Sequence, residues 1–309
     1  MSLSIICTQK DPQPWRQALL DIDANLDIQI WPHEADKQQV EFALCWKHPQ
    51  GVLAEYPNLK CISSMGAGID HFLKDAHFPQ HVDAVRLIDP LLAQSMFEYV
   101  ATASLNHFRD FNFYAAQQAS GHWQRQTPQL IQNTTVGILG LGELGSYCAS
   151  KLTGLGFNVI GWSNSAKQIQ GITNYVGKDG LSEFLSKTDI LVCLLPLTSN
   201  TSSILNLSLF KQLRPNAYLI NVARGEHLVE QDLITAIDEG ILSGACLDVF
   251  QQEPLPTQHD FWQHPKISVT PHCSSVTQAF SVAPQIVENY YAMCEGRPLT
   301  NRVDLKRGY

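Results

Sequence analysis

The chain has 309 residues, more than one hydrophobic core usually serves, so two domains are expected. Hydrophobic residues make up 44% and charged residues 16%, a globular composition that excludes long disorder. The formal net charge of -8 argues against nucleic acid or an anionic membrane as a partner, because both bind basic surfaces. A small anionic substrate remains possible, since it needs only one or two well-placed cations.

The sequence favours a cytoplasmic protein. No apolar run approaches the ~18 residues of a membrane-spanning helix, and the first ten residues do not resemble a signal peptide. The eight cysteines are widely spread and form no C-x-x-C pair, which favours reduced thiols over a disulfide framework. His259, His264 and His272 lack the tight spacing of zinc ligands, so no metal is expected.

The first third of the chain alternates β-rich runs with helical segments, the pattern of an open parallel sheet covered by helices. Strands are predicted over residues 5–8, 28–31, 42–46, 61–64 and 86–89, with helices over 14–22 and 51–55. Pro90 ends the last strand. Residues 91–118 contain almost no glycine or proline, which predicts a long helix bridging two domains, and residues 119–133 read as an irregular arm.

A second alternating stretch begins near Thr134. Strands are predicted over residues 135–139, 158–162, 190–194, 217–221, 244–248 and 267–270, and helices over 143–155, 182–186, 208–213 and 229–239. A final helix over 279–294 would return to the first domain. We therefore predict an α/β fold with two domains. A Rossmann-type dinucleotide-binding domain would cover residues 100–279, and a flavodoxin-like substrate domain would cover residues 1–99 and 280–309.

The first chemical motif is G-x-G-x-x-G, formed by Gly140, Gly142 and Gly145, with Glu143 and Leu144 between the last two glycines. It follows an apolar strand and opens a helix, and a second strand follows within about thirty residues. The glycines let the backbone approach a pyrophosphate, and the helix N-terminus offers N–H groups to it. We predict that these five residues bind a dinucleotide.

The loop after the second strand of this unit indicates which dinucleotide binds. An NAD site usually places Asp or Glu about twenty residues after the first glycine. Here Ser163, Asn164, Ser165 and Lys167 occupy that region, without a carboxylate. A carboxylate would repel a 2′-phosphate, whereas hydroxyl, amide and ammonium groups can bind one. NADP(H) is therefore favoured over NAD(H), with an ordinary polar loop as the alternative.

Three residues with catalytic chemistry follow successive strands, whose ends face the ligand edge of an open α/β sheet. Arg224 could grip a carboxylate with two hydrogen bonds and polarise the adjacent carbonyl. His272 could donate a proton to the carbonyl oxygen, and Glu253 could orient the imidazole. Taken singly, Arg224 could be a capping or ion-pair residue, Glu253 a loop residue and His272 a core histidine.

The motifs at residues 140–145, 221–225, 247–254 and 270–272 together resemble those of the D-isomer-specific 2-hydroxyacid dehydrogenase family, over essentially the whole chain. Within that family, Trp46, the loop at 66–70 and the tail at 307–309 resemble the A-type glyoxylate/hydroxypyruvate reductases. Members of that branch often carry an arginine where this chain has Asn164, which weakens the inference of strong NADPH selectivity.

The resemblance implies a role for each matching residue. Arg224 would bind the substrate carboxylate, and His272, paired with Glu253, would be the proton donor. Asp248 would meet the nicotinamide side of the cofactor. Pro196 and Ala223 would line the cofactor site. Similar proteins are homodimers joined through their cofactor domains, which implies an interface formed by the long helix and the 119–133 arm.

The first domain contributes a possible second half of the substrate site. A strand runs into the glycine turn at 66–68, whose N–H groups could bind a carboxylate, so Ala67, Gly68 and Ile69 are predicted substrate contacts. A simple strand-to-helix turn is the alternative. Trp46 could wall the substrate pocket or serve as a structural core residue. Arg302 and Arg307 could reach the active site or a partner subunit.

These observations together predict an NAD(P)H-dependent reductase of small 2-keto acids, converting glyoxylate or hydroxypyruvate to glycolate or glycerate. Two alternatives remain open. One is a D-2-hydroxyacid dehydrogenase for a different, bulkier 2-keto acid. The other is a non-catalytic dinucleotide sensor, against which the complete Arg224, Glu253 and His272 set argues.

Overall fold

The computed structural model describes residues 1–127 and 129–305, and its chain divides into two compact units. Met1–Leu92 and Thr277–Tyr309 form the first unit, and Ala93–Val276 form the second. The first boundary lies earlier than residue 99, where the sequence placed it. Asp89 explains this position, because its carboxylate accepts the Leu91 N–H and the Ser281 hydroxyl. These bonds tie the start of the long helix to the first unit.

The first unit contains a five-stranded parallel sheet. Its strands are β1 (Ser2–Cys7), β2 (Ile28–Ile30), β3 (Val40–Trp46), β4 (Cys61–Ser64) and β5 (Asp83–Val85), in the order β2-β1-β3-β4-β5. That order is the flavodoxin-like one. The unit also contains α1 (Gln13–Ile22), α2 (Asp70–Leu73), the start of α3 (Pro90–Phe108) and α9 (Ala279–Glu295). Pro90 therefore begins a helix, where its missing N–H costs nothing.

The strand predicted over residues 86–89 is wrong, because β5 ends at Val85. The backbone N–H groups of the residues after Val85 do not donate to a neighbouring strand. Arg86 donates to the Asn301 carbonyl, Leu87 to the Gly66 carbonyl, and Ile88 to the Gln285 side chain. Apolar residues there pack inside the unit without extending the sheet.

The second unit contains a seven-stranded parallel sheet. Its strands are β6 (Thr135–Leu139), β7 (Asn158–Ser163), β8 (Thr173–Val176), β9 (Ile190–Cys193), β10 (Ala217–Asn221), β11 (Leu242–Leu247) and β12 (Ile267–Val269). The strand order is β12-β11-β10-β9-β6-β7-β8. The chain starts at β6, adds β7 and β8 on one side, and then crosses over to add β9 to β12 on the other side, which is the Rossmann topology. Its remaining helices are α4 (Phe111–Ser120), α5 (Glu143–Gly154), α6 (Gly177–Ser186), α7 (Leu207–Phe210) and α8 (Glu230–Asp238). The predicted fold class is confirmed.

One prediction for this unit is wrong in detail, and one strand was not predicted. The helix predicted over 91–118 is two helices, because α3 ends at Phe108 and Asp110 takes a left-handed conformation with φ 58° before α4. Strand β8 was not predicted. It is a partly exposed edge strand paired only with β7, so it lacks the apolar run that marks a buried strand.

Across residues 1–127 and 129–305, the structure contains no helix long and apolar enough to cross a membrane. All eight cysteines carry free thiols.

Candidate active site

The turn between β6 and α5 carries the glycine motif. A Cβ on Gly145 would lie 1.9 Å from the Gly140 carbonyl oxygen, so only glycine allows the turn to close. Gly142 precedes α5, Glu143 is exposed and Leu144 is half-buried. In the described part of the chain no side chain caps α5, and a Cβ on Gly142 would meet nothing within 4 Å. The helix N-terminus is thus left for a ligand, and this arrangement fits a pyrophosphate.

The loop after β7 holds the predicted 2′-phosphate contacts. Asn164, Ser165 and Lys167 are exposed. Ser163, by contrast, is buried, and its hydroxyl donates to the Ser165 carbonyl at 2.8 Å. The Ser163 side chain thus supports the loop from within. Phosphate contact stays a prediction for the three exposed residues.

Asn174 in β8 orders this loop, and the sequence did not indicate it. Its Nδ2 donates to Ser163 Oγ at 3.0 Å and to the Tyr175 carbonyl at 3.0 Å, while its Oδ1 accepts the Lys167 N–H at 2.6 Å. One amide side chain therefore fixes both ends of the loop. Asn174 could have been identified only if residues 173–176 had been predicted as a strand.

Arg224 lies in the turn after β10, at the carboxyl edge of the sheet. Asn221 shapes this turn, because its Oδ1 accepts the Ala223 N–H and its Nδ2 donates to the Arg224 carbonyl. The side chain of Arg224 is half-exposed, and its Nη1 donates to the Ala223 carbonyl at 2.7 Å. Ala223 is buried, so it can meet a cofactor only through a small part of its surface.

Gly225 brings the Arg224 turn against the segment that contains Glu253. A Cβ at position 225 would lie 1.9 Å from the Phe250 carbonyl carbon and 2.3 Å from the Gln251 nitrogen. The two backbones are therefore in direct contact, and no larger residue fits between them without displacement. This contact places the proposed carboxylate-binding arginine close to the segment that orients the proposed acid.

Buried His227 supports the same turn and was not predicted. Its Nε2 lies 3.3 Å from the Pro196 carbonyl, and its Nδ1 accepts the Arg224 N–H at 3.2 Å. Burial lowers the pKa of His227, which favours the neutral ring. Because Nδ1 accepts the Arg224 N–H, the proton of this neutral ring lies on Nε2. His227 thus connects the carbonyl of Pro196, which is exposed, to the backbone N–H of Arg224, which is half-exposed.

His272 and Glu253 form the central pair of the site. The distance from His272 Nδ1 to Glu253 Oε2 is 2.8 Å, and Glu253 Oε1 accepts the Phe250 N–H at 3.2 Å. Because a carboxylate only accepts hydrogen bonds, His272 Nδ1 carries a proton. The imidazole is about one-third exposed, which leaves Nε2 for a substrate. The sequence-based pairing of these two residues agrees with this geometry, and their catalytic roles stay a prediction.

Asp248 is fully buried beneath the histidine loop. Its Oδ1 accepts the Thr270 hydroxyl at 2.6 Å and the Cys273 N–H at 2.9 Å, and its Oδ2 accepts the Ser274 N–H at 2.8 Å. The carboxylate thus holds the loop that carries His272. Contact between Asp248 and a nicotinamide stays a prediction.

The first unit, considered by itself, places Trp46 beside the glycine turn. A Cβ on Gly66 would lie 3.1 Å from Trp46 Cζ3. Ala67 and Gly68 are half-buried, and the Ser64 hydroxyl donates to the Gly68 carbonyl at 2.8 Å. Ile69 is only 3% exposed and packs in the core, so any ligand contact there would come from its backbone.

Lys10 is a further cation in this unit that the sequence did not indicate. Its ammonium lies 4.3 Å from the centre of the Trp46 ring and 5.5 Å from that of Trp15. Desolvation by burial lowers the pKa of Lys10. The aromatic faces compensate part of the cost of removing this charge from water.

Of the two arginines near the end of the sequence, Arg302 is among the described residues. Arg302 forms an ion pair with Asp83 and a bridge with Val85, both within the first unit. Arg307 lies outside the described residues.

Comparison with known proteins identifies the family. Residues 101–274 match the family model described as D-isomer specific 2-hydroxyacid dehydrogenase, NAD binding domain. The chain belongs to this family. It is therefore an NAD(P)-dependent oxidoreductase, and the resemblance predicted from its motifs is confirmed.

Individual relatives cover nearly the full chain. Glyoxylate/hydroxypyruvate reductase A of Yersinia enterocolitica is 41% identical over 304 residues, 97% of each protein. A D-isomer specific 2-hydroxyacid dehydrogenase from Xanthobacter autotrophicus, solved with NADPH and MES, superposes with a TM-score of 0.96 at 37% identity, over 100% of this chain and 99% of that one. An NADPH-dependent glyoxylate/hydroxypyruvate reductase from Sinorhizobium meliloti, solved with NADP and sulfate, gives 0.94 at 34% identity over 100% of both chains.

Proposed function

We propose that this dehydrogenase is an NADPH-dependent reductase of small 2-keto acids, with glyoxylate and hydroxypyruvate as substrates and glycolate and glycerate as products. The observation that carries the proposal is the 2.8 Å His272–Glu253 pair in the unit that also holds Arg224 and the glycine motif. The activities for which the Yersinia and Sinorhizobium relatives are named support it.

The residues divide the chemistry between them. Bound NADPH supplies a hydride to C2 of the keto acid. The Arg224 guanidinium binds the substrate carboxylate and polarises the neighbouring carbonyl. As C2 accepts the hydride, its oxygen takes the proton from His272 Nε2, and Glu253 stabilises the charged imidazole before transfer. One keto acid, one reduced cofactor and one proton thus give one hydroxy acid and one oxidised cofactor.

The first unit contributes substrate binding in this proposal. The N–H groups of the 66–69 turn are proposed to bind a carboxylate, and Trp46, which packs beside Gly66, is proposed to limit the size of a group bound at this turn. The Lys10 ammonium, 4.3 Å from the centre of the Trp46 ring, would hold that ring in place.

Turnover with a panel of 2-keto acids tests the proposed function. Oxidation of NADPH and of NADH is followed by the absorbance of the reduced nicotinamide, with glyoxylate, hydroxypyruvate and bulkier 2-keto acids. We expect the highest kcat/KM with NADPH and one of the two small acids. Preference for a bulky acid would support the alternative dehydrogenase. Tight NADPH binding without turnover would support the sensor.

The selectivity for NADPH is proposed to come from the loop after β7, where Asn164, Ser165 and Lys167 are exposed. Asn164→Asp should raise the KM for NADPH by about tenfold or more, because charges ~4 Å apart near a surface repel by several kcal/mol. The KM for NADH should change little. Steady-state kinetics with both cofactors measures this effect.

Asn216→Asp is a matched control, since it adds the same charge at an exposed position just before β10. It should leave both KM values unchanged. Equal KM values for NADPH in Asn164→Asp and the wild type would remove this loop from cofactor selection.

We also propose that the protein is a cytoplasmic homodimer. The interface would be formed by α3, α4 and the 119–133 arm, and exposed apolar side chains on these segments support it: Phe111 is 61%, Trp123 94% and Leu130 59% exposed. Burying such side chains is favourable for association. Light scattering coupled to size-exclusion chromatography measures the mass, and a monomer at micromolar concentration would contradict the proposal.

A further inference from the structure

Tyr99 connects helix α3 to the loop that carries His272. It lies in the second unit and is half-buried. Its hydroxyl is 2.5 Å from Thr270 Oγ1 and 3.3 Å from Cys246 Sγ. Thr270 in turn contacts Asp248, the buried carboxylate beneath the loop. Four side chains from α3, β11 and the residues just after β11 and β12 therefore form one hydrogen-bonded chain.

The direction of these hydrogen bonds follows from the acceptor at the end. Asp248 Oδ1 only accepts, so the Thr270 hydroxyl donates its single proton to it. The hydroxyl of Tyr99 must then donate to Thr270 Oγ1, and the Cys246 thiol can donate to Tyr99. Burial raises the pKa of both Tyr99 and Cys246, which keeps both groups protonated as donors.

The loop held by this chain has an unfavourable backbone conformation. His272 has φ 52°, in the left-handed region that residues other than glycine adopt uncommonly, Asn, Asp and His being the more frequent exceptions. Such a residue persists only where its surroundings fix it. Here Asp248 accepts the His272 N–H through its carbonyl and the Cys273 and Ser274 N–H groups through its carboxylate.

We propose that Tyr99 is a positioning residue for His272, acting through Thr270 and Asp248. The inference rests on the proposed role of His272 as the proton donor. In the described part of the chain, the Tyr99 hydroxyl bonds to Thr270 and Cys246 and not to His272 itself. It fixes the Thr270 hydroxyl, which fixes Asp248 Oδ1, and Asp248 holds the N–H groups that set the imidazole in place. A small displacement of that imidazole is costly, because proton transfer needs hydrogen-bond geometry.

Tyr99→Phe tests this inference, since it removes one hydroxyl and keeps the ring. We expect kcat to fall roughly tenfold, a loss that sub-ångström misplacement of a catalytic group can cause. The KM for the keto acid should stay within about twofold, because Arg224, the proposed carboxylate-binding group, is not part of this hydrogen-bonded chain. Hydrogen exchange in the protein without cofactor should become faster at the amides of residues 272–274.

Tyr147→Phe is the matched control. The Tyr147 hydroxyl donates to Gln94 Oε1 in α3 at 2.5 Å, so this variant removes a bond of the same length to the same helix without touching the loop. Its kcat and its exchange at 272–274 should match the wild type. Thr270→Ser, which keeps the hydroxyl, should retain most activity, and Thr270→Val should lose it.

Each outcome separates the inference from the proposed function. An active wild type whose kcat and loop exchange are unchanged by Tyr99→Phe overturns the inference alone. A fall in kcat without faster exchange at 272–274, or an equal fall in Tyr147→Phe, overturns it too. A wild type that binds NADPH but reduces no keto acid overturns the proposed function, whereas the exchange experiment still reports whether Tyr99 holds the loop.

Discussion

His272→Asn should reduce kcat by about 10²- to 10⁴-fold, the range that general acid catalysis supplies. Asparagine suits this test better than alanine, because it tolerates the left-handed φ of 52° at this position. The loop should therefore keep its conformation while the proton donor is lost. NADPH affinity, measured by fluorescence titration, should remain within about twofold, since His272 is not assigned to cofactor binding.

His259→Asn provides the control for removing a histidine paired with a carboxylate. His259 Nε2 lies 3.3 Å from Glu230 Oε2 in the same unit. Its replacement should leave kcat unchanged. If His272→Asn retained wild-type kcat, His272 would not be the acid, and the Glu253 pair would have only a structural role.

Arg224→Lys should raise the KM for the keto acid and lower kcat, with a combined loss in kcat/KM of about 10- to 100-fold. A hydrogen bond to a charged group contributes roughly 1.5–3 kcal/mol, and lysine cannot reproduce the two parallel donors of a guanidinium. Steady-state kinetics with saturating NADPH separates the two parameters.

Arg214→Lys is the matched control, because Arg214 pairs with Asp189 on the same unit, its Nη1 3.2 Å from each carboxylate oxygen. This variant should behave as the wild type. Unchanged kcat and KM in Arg224→Lys would show that Arg224 does not bind the substrate carboxylate.

Most of the fold could be predicted from the sequence, because buried parallel strands appear as apolar runs with helices between them. Each exception has a specific structural cause. At residues 86–89 the backbone N–H groups donate to loop carbonyls and to the Gln285 side chain. The residues that accept these hydrogen bonds lie elsewhere in the chain, so the local sequence does not indicate them. Asp110 takes a left-handed conformation between α3 and α4, and no glycine or proline in the sequence indicates this break. The edge strand β8 has too little burial to leave a pattern.

The candidate site was predictable where a residue carries its own chemistry in a motif, as do Arg224, Glu253 and His272. The residues that hold these groups in place were not. Asn174, His227 and Tyr99 act through hydrogen bonds to neighbouring loops and strands, and single polar residues of this kind look alike in a sequence. Ser163 shows the reverse case, since its hydroxyl appeared available for a phosphate and is used to close its own loop.

The transfer of deuterium tests the central claim most directly. Hydroxypyruvate is incubated with NADPH that carries deuterium at the transferable position of the nicotinamide, and the product is examined by NMR and chiral chromatography. The proposed chemistry predicts that the wild type forms glycerate of a single configuration with deuterium at C2. His272→Asn should form the same product at a rate that is lower by a factor of about a hundred or more. NADPH bound tightly by the wild type, with no deuterium transferred to any 2-keto acid, would contradict it.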